Sequence, residues 1–165
     1  LLVVGGSQGA TFLNELAIKV FEKTRLQGIH ITGERDREMV ESFYREKGLR
    51  VRVFSFREDM ELIYSASDIA ISRAGASTIT ELSIFGIPAL FIPYPFSARD
   101  HQYYNAKEIE ELKGGFVLRQ EEAEIDKVIN LLENLLRDRE EFSKSIKSFA
   151  NLNACEDIIK HLTSG

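Results

Sequence analysis

The sequence predicts an α/β fold, a doubly wound parallel sheet of about six strands. Three observations carry this reading. Short apolar runs alternate along the chain with amphipathic stretches of helical length, the pattern of a parallel sheet covered on both faces. Turns rich in glycine and small polar residues follow several of those runs, where a strand would hand over to a helix. At 165 residues the chain holds one core but not two generous ones, and no repeat, Pro- or Ser-rich linker or composition shift marks a second domain, so residues 1–165 are read as one domain.

The elements follow in order. Residues 1–4, 28–32, 49–54, 68–72, 87–92 and 115–118 read as strands, each short, apolar and bounded by turn residues. Residues 10–23, 36–47, 59–65, 78–85 and 102–112 read as the intervening helices. The tail 121–161 is predicted helical, with Ile125, Val128, Ile129, Leu132 and Leu136 spaced to cover one face. In such a fold the ligand lies outside the carboxyl ends of the strands, so the loops there are the place to look for chemistry.

Composition narrows the function. Apolar residues make up 44% and charged residues 28%, a globular balance. The net charge of −5 excludes a general nucleic-acid binder, whose footprint would be basic. No apolar run approaches the ~18 residues that would span a bilayer. The single cysteine, Cys155, excludes an intramolecular disulfide and reads as a small thiol on a terminal helix; a reducing cytoplasm is the expected compartment. The chain begins within a strand, which reads as part of something longer.

Three loops hold the unusual residues. The first, Gly5-Gly6-Ser7-Gln8-Gly9, lets backbone approach an anion closely and adds the Ser7 hydroxyl. It is neither a P-loop nor G-x-G-x-x-G, and a tight turn accounts for it equally well. The second runs Ser72-Arg73-Ala74-Gly75-Ala76-Ser77-Thr78-Ile79-Thr80-Glu81. A strand ending at a helix N-terminus presents free N–H groups and a positive dipole end to phosphate, and Glu81 could accept from both hydroxyls of a ribose. The plain alternative is a capping box, Thr78 with Glu81. The third is Pro93-Tyr94-Pro95-Phe96-Ser97-Ala98-Arg99-Asp100, running into His101-Gln102-Tyr103-Tyr104-Asn105. Asp100 reads best as a helix N-cap. Gln102 and Asn105 share a helix face and offer amides to sugar hydroxyls, and His101 is the one histidine expected in the crevice. The histidines and Cys155 lack any metal-ligand spacing, so neither a metal nor another cofactor is expected.

The motifs GGSQGATFLNE, SRAGASTITEL and DHQYYNA, in that order, resemble the C-terminal half of the bacterial MurG family. Those enzymes transfer N-acetylglucosamine from UDP-N-acetylglucosamine to lipid I, forming lipid II for peptidoglycan. The resemblance implies one half of a GT-B glycosyltransferase, the half that binds the nucleotide-sugar. Ser7 and Gln8 would line the diphosphate side, and Phe56 and Arg57 would mark the segment whose backbone reads uracil, with Met60 close by. Ala76, Ser77 and Thr78 would offer amides to the phosphates, Glu81 would hold the ribose, and His101, Gln102 and Asn105 would face the sugar. It further implies that no catalytic residue lies in this chain, because the acceptor site for lipid I, the membrane-docking patch and the base belong to an N-terminal half that the chain lacks. The isolated chain is therefore expected to be an inactive part of a hexosyltransferase that sits on the cytoplasmic face of the membrane. Three other readings of the residues stay open: an NAD-binding domain with Glu34 on the ribose, a nucleotide-sugar epimerase, and a non-catalytic UDP-sugar-binding subunit.

Overall fold

The structure, a computed structural model, describes residues 1–6 and 10–163, with side chains described as far as residue 151. Six strands, β1 (Leu2–Val4), β2 (Gly28–Ile31), β3 (Val51–Phe54), β4 (Ala70–Ser72), β5 (Ala89–Phe91) and β6 (Gly115–Val117), form one parallel sheet in the order β3-β2-β1-β4-β5-β6. Helices α1 (Thr11–Thr24), α2 (Arg37–Glu46), α3 (Met60–Ser65), α4 (Ala76–Phe85) and α5 (His101–Glu111) follow the first five strands, and α6 (Ile125–Arg137) and α7 (Arg139–Thr163) complete the chain. The tail predicted helical over 121–161 forms two helices, parted at Asp138, and the residue buried at the end of α6 is Leu135 while Leu136 stays exposed.

The central strands β1, β4 and β5 are buried on both sides because consecutive residues feed opposite faces. Val3, Ile71 and Leu90 pair across β1, β4 and β5 and pack with Leu13, Val20, Phe21, Val40, Val128 and Leu132 from α1, α2 and α6. Their neighbours Leu2, Ala70 and Ala89 point the other way, toward Ile63, Ile79, Leu82, Ile109 and Ile146 from α3, α4, α5 and α7. Period-2 apolar residues on both faces fix the register, since a slip of one residue would exchange the two layers. The strand order reverses between β1 and β4. Loops leaving β1 and β4 there run to opposite faces and open a crevice at the carboxyl ends.

One buried side chain interrupts the first of those layers. His30 on β2 pairs with Val3 on one side and Val53 on the other, yet is fully buried. It lies between Tyr44 Oη and Asn14 Oδ1, each 2.9 Å from a ring nitrogen. Asn14 Nδ2 donates to the Thr32 carbonyl at 3.0 Å and to Asp36 Oδ2 at 2.8 Å, so its Oδ1 must accept from His30 Nε2–H. His30 Nδ1 then accepts from Tyr44. Burial pulls the His30 pKa down from 6.5 to about 3, with Asp36 opposing, and the ring is neutral.

Candidate functional site

The crevice is built from the turn after β4, the loop after β5 and the segment after β3. At its centre α4 begins at Ala76 on the N-cap Gly75, which has extended backbone and no side-chain capping bond. The first-turn amides therefore lack helical partners. Ala76 and Ser77 are exposed and Thr78 is half-buried, so the first turn is not covered by other elements. Gly75 has φ −66°, which any residue adopts, and a Cβ there would meet nothing within 4 Å. The fold does not require glycine at this point; the space it leaves lies open to a ligand. By contrast Gly6, in the loop after β1, has φ +96° and is required by its own backbone.

The capping-box alternative for Glu81 does not form. With α4 starting at Ala76, Thr78 sits within the first turn and Glu81 almost a turn beyond it, out of reach of the N-cap. Instead Glu81 Oε2 accepts from Tyr64 Oη on α3 at 2.5 Å, and the Glu81 side chain is exposed. Burial and this carboxylate push the Tyr64 hydroxyl pKa upward, so it remains a donor. Because only one carboxylate oxygen is engaged, the other is available to a hydroxyl pair.

Gln102 and Asn105 turn toward the neighbouring backbone. Gln102 Oε1 accepts from the Ala74 N–H at 3.2 Å and the Tyr94 N–H at 3.0 Å, joining the turn after β4 to the loop after β5. Asn105 Nδ2 donates to the Ala74 carbonyl at 3.3 Å. The Gln102 amide nitrogen has no acceptor among the described residues, which leaves its two donors free. His101 is exposed at the start of α5, its Nδ1–H donating to the Ala98 carbonyl at 2.6 Å, which leaves Nε2 as acceptor.

Asp100 departs from its predicted role. It occupies the N-cap position of α5 with φ +57°, and makes no capping bond. Its carboxylate goes to the Arg119 guanidinium at 2.7 Å, and that guanidinium lies 3.8 Å from the Tyr103 ring centroid. Together with Arg99 at φ +51°, Asp100 puts two consecutive residues in the left-handed region, held by a latch from beyond β6.

The segment after β3 is further from this centre. Phe56 is 61% exposed, and Arg57 pairs with Asp59 while lying 4.8 Å from the Phe54 ring centroid. Met60 is half-buried against the core on the α4 side. It stands one turn before Tyr64 on α3, so the Tyr64–Glu81 bond carries this segment toward α4. Ser7 and Gln8 lie outside the described residues, as do the side chains of Cys155 and His161. Glu34 is exposed in the turn after β2.

Three contributors carry no individual role in the sequence reading, although Arg73 stands in its second loop. Arg73, only 8% exposed, donates from Nη1 to the carbonyls of Ile92 and Pro93 at 3.1 and 3.2 Å and from Nη2 to Gln120 Oε1 at 2.9 Å. An arginine amid small residues was the available signal. Tyr64 and Arg119 act through partners distant in sequence, which no local pattern reveals. Concavity alone points elsewhere, to a cleft of about 530 Å³ at the amino ends of β1 to β3 lined by Gln27, Arg50, Arg52 and Asp68. Those are strand starts and their flanks, away from the crossover that opens the crevice. Among the described residues, no cluster of three or more His, Cys, Asp and Glu could hold a metal, and no helix is long and apolar enough to cross a membrane.

The sequence model of the glycosyltransferase family 28 C-terminal domain matches residues 1–162. The chain belongs to this family. Within family 28, a UDP-N-acetylglucosamine--N-acetylmuramyl-(pentapeptide) pyrophosphoryl-undecaprenol N-acetylglucosamine transferase of Aquifex aeolicus is 51% identical over 164 residues, covering 98% of this chain and 47% of that protein. The same-named protein of Wolinella succinogenes is 42% identical over 144 residues, covering 86% and 43%. The crystal structure of Acinetobacter baumannii MurG superposes with a TM-score of 0.81 at 29% identity, over 99% of this chain and 51% of that one. The calicheamicin glycosyltransferase CalG4, at 19% identity and a TM-score of 0.64, shares the fold alone. The MurG resemblance and the GT-B half-fold read from the motifs are therefore borne out. The chain spans about half the length of the curated relatives it matches.

Proposed function

We propose that this chain is the donor domain of an inverting hexosyltransferase, binding UDP-N-acetylglucosamine for transfer to lipid I. The observation that carries the reading is the uncapped start of α4 at the crossover of the sheet, with Glu81 a turn and a half along the same helix. Diphosphate oxygens accept from the amides of Ala76, Ser77 and Thr78, and the sequence resemblance assigns Ser7 and Gln8 to the same diphosphate. Glu81 accepts from the ribose hydroxyls. Backbone at Phe56 and Arg57 reads uracil beside Met60, and His101, Gln102 and Asn105 meet the sugar. The 51% identity to the Aquifex aeolicus transferase supports this donor and acceptor over the dehydrogenase and epimerase readings.

In the reaction an acceptor hydroxyl attacks the anomeric carbon from the face opposite the diphosphate. The bond from that carbon to the phosphate oxygen breaks, and UDP departs with the electron pair. The α4 amides and dipole stabilise the charge that develops on the departing oxygen. The proton passes to a base on the half of the relatives that this chain does not span, which also holds the lipid I site and the contact with the cytoplasmic face of the membrane. No metal is required where backbone supplies the counter-charge.

Two assays test the reading. Titration should show binding of UDP and UDP-N-acetylglucosamine and none of NAD; the reverse preference would sink it. Incubation of the purified chain with labelled UDP-N-acetylglucosamine and a lipid I analogue should yield no lipid II. Robust transfer would show that the chain holds its own acceptor site and base.

A further inference from the structure

Arg73 is, among the described residues, the only Lys, Arg, Asp or Glu in the buried class. Its guanidinium meets neutral groups alone: the Ile92 and Pro93 carbonyls, Gln120 Oε1, and the face of Tyr94 at 5.6 Å from the ring centroid. No described carboxylate lies within ion-pair distance, and the Nε–H is buried without an acceptor. A buried cation lacking a counter-charge is costly, and proteins seldom retain one without an anion to answer it. Arg73 also stands two residues before the N-cap of α4, whose open amides and dipole add positive potential at the same carboxyl end of the sheet. Two independent sources of positive charge therefore flank one crevice, with nothing negative among the described groups bonded to either.

We propose that Arg73 is a positioning residue whose fixed charge makes the crevice select a diphosphate over the bare nucleoside. It acts across the turn that it anchors to the loop after β5 and touches no reacting atom. The proposal rests on the donor reading above, because the diphosphate it serves is that of the UDP moiety.

The test is the ratio of UDP to uridine affinity, measured by displacement of a fluorescent UDP analogue at fixed ionic strength. Uridine shares every base and ribose contact, so the ratio isolates the diphosphate. In Arg73→Gln the ratio should fall tenfold or more while uridine affinity holds within about threefold. In Arg73→Lys, which keeps the charge and loses the fork, the ratio should stay within about threefold of wild type. A residue that merely staples the loop would lower both affinities together; an unchanged ratio in Arg73→Gln overturns the proposal. Should Arg73→Gln not fold, a tenfold fall of the ratio in Arg73→Lys overturns it as well. Wild-type protein that binds UDP no better than ADP overturns the donor reading itself, a result separable from either variant.

Discussion

Two buried polar centres stand about either side of the crossover in this sheet, and they differ in how completely they are satisfied. In the β1–β2–β3 half, His30, Tyr44, Asn14 and Asp36 form a closed chain in which both ring nitrogens of the buried histidine have a partner. In the β4–β5–β6 half, Arg73 carries an unpaired charge and an orphaned Nε–H, and the α4 amides lack a cap. A closed network contributes to folding and asks nothing of solvent or ligand. An open one is a cost to the fold, and such costs concentrate where a ligand completes the site. The contrast teaches which polar centre to test for ligand chemistry, without reference to pocket volume.

The largest expected effect breaks the closed centre with acid. In the unfolded chain His30 titrates near 6.5, whereas burial holds it near 3 in the fold. Between those values the unfolded state binds more protons, so the contribution is full above pH 6.5 and is lost as pH falls toward 3. The steepest loss is about 1.4 kcal/mol per pH unit. Denaturant midpoints from pH 7 to 4 should fall more steeply in wild type than in His30→Gln, and equal slopes would refute the assignment.

Next comes the open centre. Glu81→Ala removes charge-assisted bonds of roughly 1.5–3 kcal/mol each, so UDP affinity should drop tenfold or more, beyond the modest loss of stability expected from leaving the Tyr64 hydroxyl without its acceptor. Unchanged affinity would remove Glu81 from the ribose. Tyr64→Phe, which frees the carboxylate without deleting it, should weaken UDP by only a few-fold. In the other half Tyr44→Phe leaves His30 Nδ1 without its donor, at a cost of about 1–3 kcal/mol of stability. UDP affinity should be untouched there; a parallel loss would join the two centres and end the contrast.

How much of this was legible follows from the range of the interactions. Short apolar runs mark all six strands, because β1, β4 and β5 are buried at every residue and β2, β3 and β6 at most of theirs in whole or part, and the edges differ by a residue or two where pairing rather than hydropathy sets the limit. The helix α4 starts two residues before the predicted position, since Thr78 looks like a cap and Gly75 does not. Glu81, Gln102 and Asn105 were recognisable as polar residues at a carboxyl end. Their partners were not: Tyr64 lies 17 residues from Glu81, and Gln120 47 from Arg73. Asp100 was misjudged for the same reason, its carboxylate being claimed by Arg119 from across β6.

The smallest expected effect concerns the segment after β3. Arg57 is occupied on both sides, by Asp59 at its guanidinium and by the Phe54 ring beneath it, so its side chain is spent on holding the turn before α3. If uracil is read by backbone there, side-chain identity at this position is irrelevant to base choice. Arg57→Ala should then keep the preference for UDP over ADP within about threefold, while Arg73→Gln, at the open centre, lowers UDP and ADP alike because both carry a diphosphate. Measured side by side, the pair separates base selection from phosphate selection. Loss of the UDP preference in Arg57→Ala would move base recognition from the backbone to the guanidinium and give the site a second functional cation besides Arg73.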